Sequence, residues 1–263
     1  MKYVKQSFTL VEILVVIVII GILSSFIFFT INNSVDKANI AKSKMFSESI
    51  RNNLLLNLVS EWKLDGNAND SWGSNNGTAT DVTYETETNC ISGECGIFNG
   101  STSYVDCGNA SSLDITGNLT IEAWIKITGS CSDDCDIFIR GDDSIDGYRL
   151  TISLGVIRFD TFSPTKIISR GSAITDNKWH HIVVTKNGTG IGSVKIYNDG
   201  IDVTSQQGDH GNPASNNKHA YIGSYNSIAH FLNGEIDEVR VYNSVISESE
   251  IEQKYLSGLY IKQ

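Results

Sequence analysis

L-T-I-E-A-W-I-K-I, residues Leu119–Ile127, alternates apolar and polar side chains as a half-buried strand does, and it decides the reading of most of this chain. Runs of the same kind recur on both sides of it. Y-V-D-C-G from Tyr104, D-I-F-I-R, Y-R-L-T-I-S-L, V-I-R-F-D-T-F, W-H-H-I-V-V-T-K, S-V-K-I-Y-N-D, H-A-Y-I-G-S and E-I-D-E-V-R-V-Y-N are each rich in β-branched and aromatic residues. Gly, Asn, Asp or Ser bounds each run, and the regular spacing predicts a two-sheet antiparallel sandwich from Trp62 onward. Asn198-Asp199-Gly200 reads as a tight hairpin turn. At the end the period changes again: Ser247 and Glu250 form a capping box, and Ile251, Tyr255 and Gly258 complete a short closing helix.

Composition agrees with many short strands joined by turns. The 263 residues include 23 Gly and only two Pro, Pro164 and Pro213. The formal charge of −10 is unevenly spread: residues 1–60 carry +3 and the remainder −13. Nucleic acid is held mainly by Lys and Arg that displace counter-ions, so an acidic body argues against DNA or RNA binding.

Five cysteines add a compartment argument. Cys90 and Cys95 lie in N-C-I-S-G-E-C, Cys131 and Cys135 in C-S-D-D-C, and Cys107 stands alone. No His accompanies either pair, and four-Cys zinc sites use shorter repeated knuckles. Two local disulfides, Cys90–Cys95 and Cys131–Cys135, are the expectation, with Cys107 a buried free thiol. Spacing alone leaves other two-bridge connectivities open. Disulfides imply an oxidising compartment.

Ahead of the strands the pattern is helical. Lys2 and Lys5 precede an apolar run from Phe8 to Ile31, long enough to span a bilayer and broken by one charge, Glu12. No small-x-small cleavage site follows it, so the segment is read as retained. Apolar residues continue at helical spacing through Val35, Ala38, Ala41, Met45, Phe46, Ile50, Leu54 and Leu58. From Phe8 to Ser60 such a helix would be about 80 Å long at ~1.5 Å per residue.

K-Q-S-F-T-L-V-E-I-L-V-V-I (Lys5–Ile17) resembles the class III signal of type IV pilins and pseudopilins. The resemblance implies a leader of residues 1–7, cleaved between Ser7 and Phe8 by a prepilin peptidase. It further implies N-methylation of Phe8 and helix packing with other pilin subunits in a filament core. Glu12 matches the family's acid, and its carboxylate can pair with the Phe8 ammonium of a neighbouring subunit inside an apolar bundle. Ser7 departs from the Gly that the family uses before the cut. A plain signal anchor with an idle Glu12 is the alternative.

In the body, W-K-L-D-G-N-A-N-D-S-W-G (Trp62–Gly73), I-F-N-G-S-T-S-Y-V-D (Ile97–Asp106), L-T-I-E-A-W-I-K, K-W-H-H-I-V-V-T (Lys178–Thr185), I-Y-N-D-G and G-E-I-D-E-V-R-V-Y-N (Gly234–Asn243) occur in order. Together they resemble the LamG-like, concanavalin A-like jelly-roll family over residues 62–257. Members are mostly carbohydrate- or protein-binding modules, and many hold a structural calcium. By that resemblance Asp70 and Asp237 are the expected calcium ligands, with Asp237 read on one strand face with Val239 and Val241. The bland reading has Asp70 in an Asx-turn and Asp237 hydrogen-bonded at a strand start.

Other groups of chemical interest read as structural. Glu235-Ile-Asp237-Glu238 begins like the E-x-D-x-x-E strand of laminarinase-type hydrolases, but alternation brings Val239 to the third position, so the acid–base partner is missing. Asp142, Asp143 and Asp146 in R-G-D-D-S-I-D-G copy half a calcium loop and read as a solvated hairpin turn. One of His180 and His181 is expected buried and the other wet, Trp124 in the core, and His210, His219 and His230 scattered in loops. Trp72 and Tyr225 could stack on sugars.

The expected architecture is therefore a leader (1–7), a pilin-type helix (8–60, transmembrane over 8–31) and a jelly-roll sandwich (61–263) with a short closing helix. The expected role is a non-enzymatic subunit of a type IV pilus-like filament, in the bacterial inner membrane before assembly and extracellular afterwards, with an adhesive or ligand-binding head. The alternatives are a pseudopilin of a type II secretion-like apparatus and a membrane-anchored glycoside hydrolase.

Overall fold

The computed structural model describes residues 10, 11, 13–22, 57–86, 88–130, 133–142, 146–162 and 166–261. The chain divides into two units, Met1–Asn53 and Leu54–Gln263. In the first, the described residues within 10–22 are helical, α1.

The second unit is built of short strands: β1 (Leu58–Trp62), β2 (Thr78–Thr80), β3 (Thr83–Glu85), β4 (Cys95–Asn99), β5 (Tyr104–Asp106) and β6 (Leu119–Ile127). There follow β7 (Asp134–Asp142), β8 (Asp146–Ser153), β9 (Val156–Phe162), β10 (Lys166–Ala173), β11 (Trp179–Lys186) and β12 (Gly190–Ile191). β13 (Val194–Asn198), β14 (Ile201–Asp202), β15 (Asp209–His210), β16 (Ala220–Ile222), β17 (Asn233–Tyr242) and the helix α2 (Glu248–Ile261) close the chain. One sheet has the order β14-β13-β11-β6-β17-β4-β3, with β1 also paired to β17; the other is β10-β9-β8-β7-β16-β5-β2. The expected sandwich is present, and it is antiparallel throughout its long pairings.

Alternation explains why the two sheets pack. Ile121, Ala123 and Ile125 of β6 and Ile182 and Val184 of β11 turn inward to meet Phe138, Leu150, Ile152, Ile157 and Phe159 of the opposite sheet. Burying each of these Ile, Val, Leu and Phe side chains contributes about 1.5–3 kcal/mol. Trp62 is fully buried, its ring 5.8 Å from that of Phe138 and its indole N–H donating to the Asn75 carbonyl.

Local signals hold where they are short-range. Asp199 (φ 53°) and Gly200 (φ 80°) make the two-residue turn between β13 and β14. The capping box forms, with the Ser247 N–H donating to Glu250 and the Glu250 N–H donating to the Ser247 hydroxyl.

Four expectations change. Strand begins at Leu58, inside the stretch read as helix, because Leu58 pairs with Tyr242 and edge pairing outweighs a helical stripe. Gly258 lies within α2, which runs on to Ile261; a Cβ there would sit 2.4 Å from the Trp124 ring, so the glycine serves close packing and not termination. Trp124 is buried, but on the outer face of its sheet beneath α2. His210 is fully buried in β15, bonded to the Thr161 and Ser169 hydroxyls, and burial depresses its pKa to about 4.

His181 is the buried histidine, and His180 is the wetter one. His180 sits between Asp199 (Nδ1, 2.9 Å) and Asp176 (Nε2, 2.8 Å). Chiefly the Asp199 bond, against burial and with help from Asp176, pushes its pKa up to about 9. A folded pKa above the unfolded value gives stability that is complete below the ordinary value of ~6.5 and lost as pH rises through the folded value. Melting of the full chain in detergent micelles should therefore show a loss of about 1–2 kcal/mol between pH 6.5 and 9.5, discounted because Asp176 is solvent-screened. His180→Gln should flatten that slope; an unchanged slope would refute the assignment.

Candidate functional site

Three surfaces compete for function: the apolar helix and the outer faces of the two sheets. Along α1 the described apolar side chains are exposed from 48% at Val15 to 83% at Leu10. A helix apolar all round needs lipid or other helices around it. Among the described residues no helix is long and apolar enough to cross a membrane. Ser7, Phe8 and Glu12 lie outside the described residues, as does the expected span beyond residue 22.

The outer face of the eight-stranded sheet is closed. α2 lies over it: Tyr255 stacks on Trp124 at 5.9 Å, and Ile251 joins Val183, Tyr197, Tyr242 and Ile246 in a second apolar cluster. Beneath the helix, fully buried Glu122 accepts from Arg240 (3.2 Å), Lys254 (3.0 Å) and the Tyr242 hydroxyl (3.0 Å), with His181 Nε2 at 3.1 Å. Burial would raise that carboxyl, but Lys254, Arg240 and His181 hold it well below the usual range.

The loop closed by the Cys90–Cys95 disulfide meets the same face at Asp237. Its Ile91 and Ser92 amides donate to Asp237 Oδ2 at 2.9 and 3.0 Å. Cys135 is also disulfide-bonded, Cys131 lies outside the described residues, and Cys107 is a buried free thiol.

β17 also corrects the sequence reading of Asp237. Glu238 takes a left-handed conformation (φ 53°) at a bulge between Asp237 and Arg240, where the register with β6 shifts. One inserted residue flips the alternation, so Val239 and Val241 face the core while Glu235 and Asp237 face outward. Glu235 pairs with Lys126 at 2.9 Å, and Glu238 is bound by Arg240.

The two aspartates matched to a calcium site are both engaged by backbone amides. Asp70 spends Oδ1 on the amides of Glu61, Trp72 and Gly73 and Oδ2 on that of Asn75, the arrangement of an Asx-turn. Those amides, against burial, hold its carboxyl low. Asp237 leaves only Oδ1 without a hydrogen bond, and burial, with Glu238 adding to it, pushes that carboxyl up to about 7. Among the described residues no group of three or more His, Cys, Asp or Glu side chains is placed to hold a metal.

The outer face of the seven-stranded sheet is different. A single cross-strand row runs Thr78, Asp106, Tyr221, Ile139, Arg149, Asp160, Ile168. At its centre Arg149 is fully buried. Its guanidinium donates to Asp160 (2.8 and 3.1 Å) and Asp134 (2.9 Å), lies 3.6 Å from Asp136, and sits 5.9 Å over the Phe162 ring. Arg158 bridges Asp134, Asp160 and Ser153. His230, from the loop after β16, stands 3.2 Å from Arg149. Tyr225 of that loop packs on His230 at 5.3 Å and donates to Asp142, so the loop covers the ions. Toward β5 and β2 the same face is open: Tyr104 and Tyr221 are half-buried, and His219 is exposed. Trp72 is partly exposed, with its indole N–H held by the Leu58 carbonyl.

Sequence reading missed this face. Arg149, Thr151 and Ser153 of Y-R-L-T-I-S-L and Arg158 and Asp160 of V-I-R-F-D-T-F stand at alternate positions, which marks one sheet face but not that the ions are buried.

Residues 99–252, more than half of the chain, match the family model described as the concanavalin A-like lectin/glucanases superfamily. Residues 4–28 match the prokaryotic N-terminal methylation motif. No curated protein matches the chain. Among solved structures, the binding domain of Paraclostridial Mosquitocidal Protein 1 is similar with TM-score 0.60 and 19% identity, covering 77% of this chain and 52% of that one. Domain 4 of AbnA, a GH43 extracellular arabinanase from Geobacillus stearothermophilus in complex with arabinotriose, matches with TM-score 0.55 and 17% identity over 75% of this chain and 97% of that one. The receptor binding domain of botulinum neurotoxin D matches with TM-score 0.58 and 19% identity, over 77% and 53%. The chain spans about half the length of the two toxin domains.

Proposed function

We infer that this chain, which belongs to the concanavalin A-like lectin/glucanases superfamily, is a structural subunit of a type IV pilus-like filament that carries a carbohydrate-binding head. The observation that supports this most is the pairing in one chain of the methylation motif, residues 4–28, with the lectin-like sandwich. A peptidase on the cytoplasmic side of the inner membrane cuts between Ser7 and Phe8, and Phe8 is N-methylated. The apolar helix is stored in the membrane and then packs with its copies in the filament core, where Glu12 pairs with the Phe8 ammonium of a neighbour. Removing both charges from hydrocarbon at once makes that pair an assembly register. The sandwich is carried to the cell surface, and its disulfides suit an oxidising exterior. The sugar in complex with AbnA domain 4, a similar fold, supports a carbohydrate ligand.

Mass spectrometry of the mature chain is expected to find N-methylated Phe8 as the first residue, and electron microscopy to find shed fibres. Glu12→Ala should leave the monomer in the membrane and remove the fibres. A mature chain that still begins at Met1 would overturn the reading. Fibres confined to the periplasm, with a secretion defect in the deletion strain, would identify a pseudopilus instead.

A further inference from the structure

We propose that the open half of the seven-stranded sheet is a saccharide platform made by Tyr104, Tyr221 and His219 with Asp106, and that it takes a neutral oligosaccharide. The proposal rests on the binding-head reading above and gives it a location and a ligand class.

The platform follows from register. Tyr104 and Asp106 flank Val105 on β5, and Tyr221 lies between Ala220 and Ile222 on β16. Val105, Ala220 and Ile222 are core residues, so alternation sends Tyr104, Asp106 and Tyr221 to the outer face together. Tyr221 pairs with Asp106 across the strands. The Tyr104 and Tyr221 rings meet edge-on at 6.1 Å, and His219 stacks near-parallel to Tyr221 at 6.0 Å. Three rings are thus lined along one face, and none is fully buried. The electron-rich face of such a ring suits the polarised C–H groups of a sugar.

Hydrogen-bonding groups stand beside the rings. Asp106 accepts from the Gly108 amide (2.8 Å) and from His219 Nδ1 (2.7 Å). The Asp106 carboxylate and the His219 ring nitrogens supply polar partners for sugar hydroxyls beside the rings. Thr78 and Thr80, opposite Asp106 and Tyr104 on β2, add hydroxyls along the edge.

Charge selects among sugars. Asp106 and Asp142 border the platform, and the neighbouring Lys218 ammonium is 3.7 Å from Asp142. With −13 on the residues after 60, the surface repels an anionic sugar and admits a neutral one. The buried Arg149 centre stays beneath the Tyr225 loop and takes no part.

The test is calorimetry on the full chain in detergent micelles with arabinotriose, xylotriose, cellotriose and 3′-sialyllactose. At least one neutral trisaccharide should bind, and Tyr221→Ala and Tyr104→Ala should each weaken it about tenfold or more. Tyr221→Phe, which keeps the ring, should retain binding, and 3′-sialyllactose should not bind. Unchanged affinity in a folded Tyr221→Ala chain, binding of the sialylated sugar alone, or no binding of any of the four would overturn the platform. Fibre formation separates this failure from that of the filament reading: Tyr221→Ala should assemble normally, whereas a wild-type chain without fibres strikes the filament and leaves the platform standing.

Discussion

Glu122→Ala is expected to cost the sandwich about 3–5 kcal/mol, the penalty for removing one partner of a buried ion pair. Glu122 joins three elements: it lies on β6, takes Arg240 and the Tyr242 hydroxyl from β17, and takes Lys254 from α2. Without it Arg240 still has Glu61 and Glu238, but the largely buried Lys254 loses its ion pair and keeps only the more distant Glu61 field. Burial already lowers the Lys254 pKa while Glu122 opposes that shift, so the lysine would shed its proton or pull α2 away from Trp124. Melting of the full chain in micelles should fall by roughly 10 °C, taking ~2–4 °C per kcal/mol for a domain of this size. Lys254→Met should cost less, since Glu122 keeps Arg240. A loss under about 1 kcal/mol for Glu122→Ala would mean that α2 is held by its apolar cluster alone.

Arg149→Ala is expected to be comparably severe, about 3–5 kcal/mol. Asp160 would then depend on Arg158, with Lys166 at 3.5 Å, and buried Asp136 would lose the guanidinium 3.6 Å away and keep only His230 at 3.7 Å among the described residues. Arg149→Lys should recover only part of the loss, because an ammonium cannot repeat the fork that reaches Asp134 and Asp160 together. Urea unfolding in micelles reads both variants. If lysine restored full stability, the cluster would need only a point charge, and the forked geometry would be incidental.

The two variants test opposite outer faces, and those faces mark the limit of sequence reading. The N-terminal methylation motif, matched over residues 4–28, was legible because its pattern is contiguous: Lys5, one acid at Glu12 and an apolar run. The strands were legible for a similar reason. Alternation in Leu119–Ile127 or Trp179–Lys186 is a property of neighbours, and so are the Asp199-Gly200 turn and the capping box at Ser247.

Asp237 shows where this stops. Strict alternation put it with Val239 and Val241, and the bulge at Glu238 reversed the face. A bulge depends on how β17 meets β6, which no local spacing records. Gly258 reads as a helix end until Trp124 is seen beneath it. The disulfide loop over Asp237 joins residues 145 and 146 positions apart. Likewise, Tyr104 and Tyr221 are an unremarked pair of strand residues until β5 and β16 lie side by side.

The sequence by itself determined the class of each segment: an apolar helix within an N-terminal methylation motif, a β sandwich and a capped closing helix. These follow from periodicity and from charges a few residues apart. Only the tertiary structure decided which outer face is sealed and which is open, and which charges are buried in pairs. Burial and register come from long-range pairing of strands, and a side chain's alternation says which face it takes but not what covers that face.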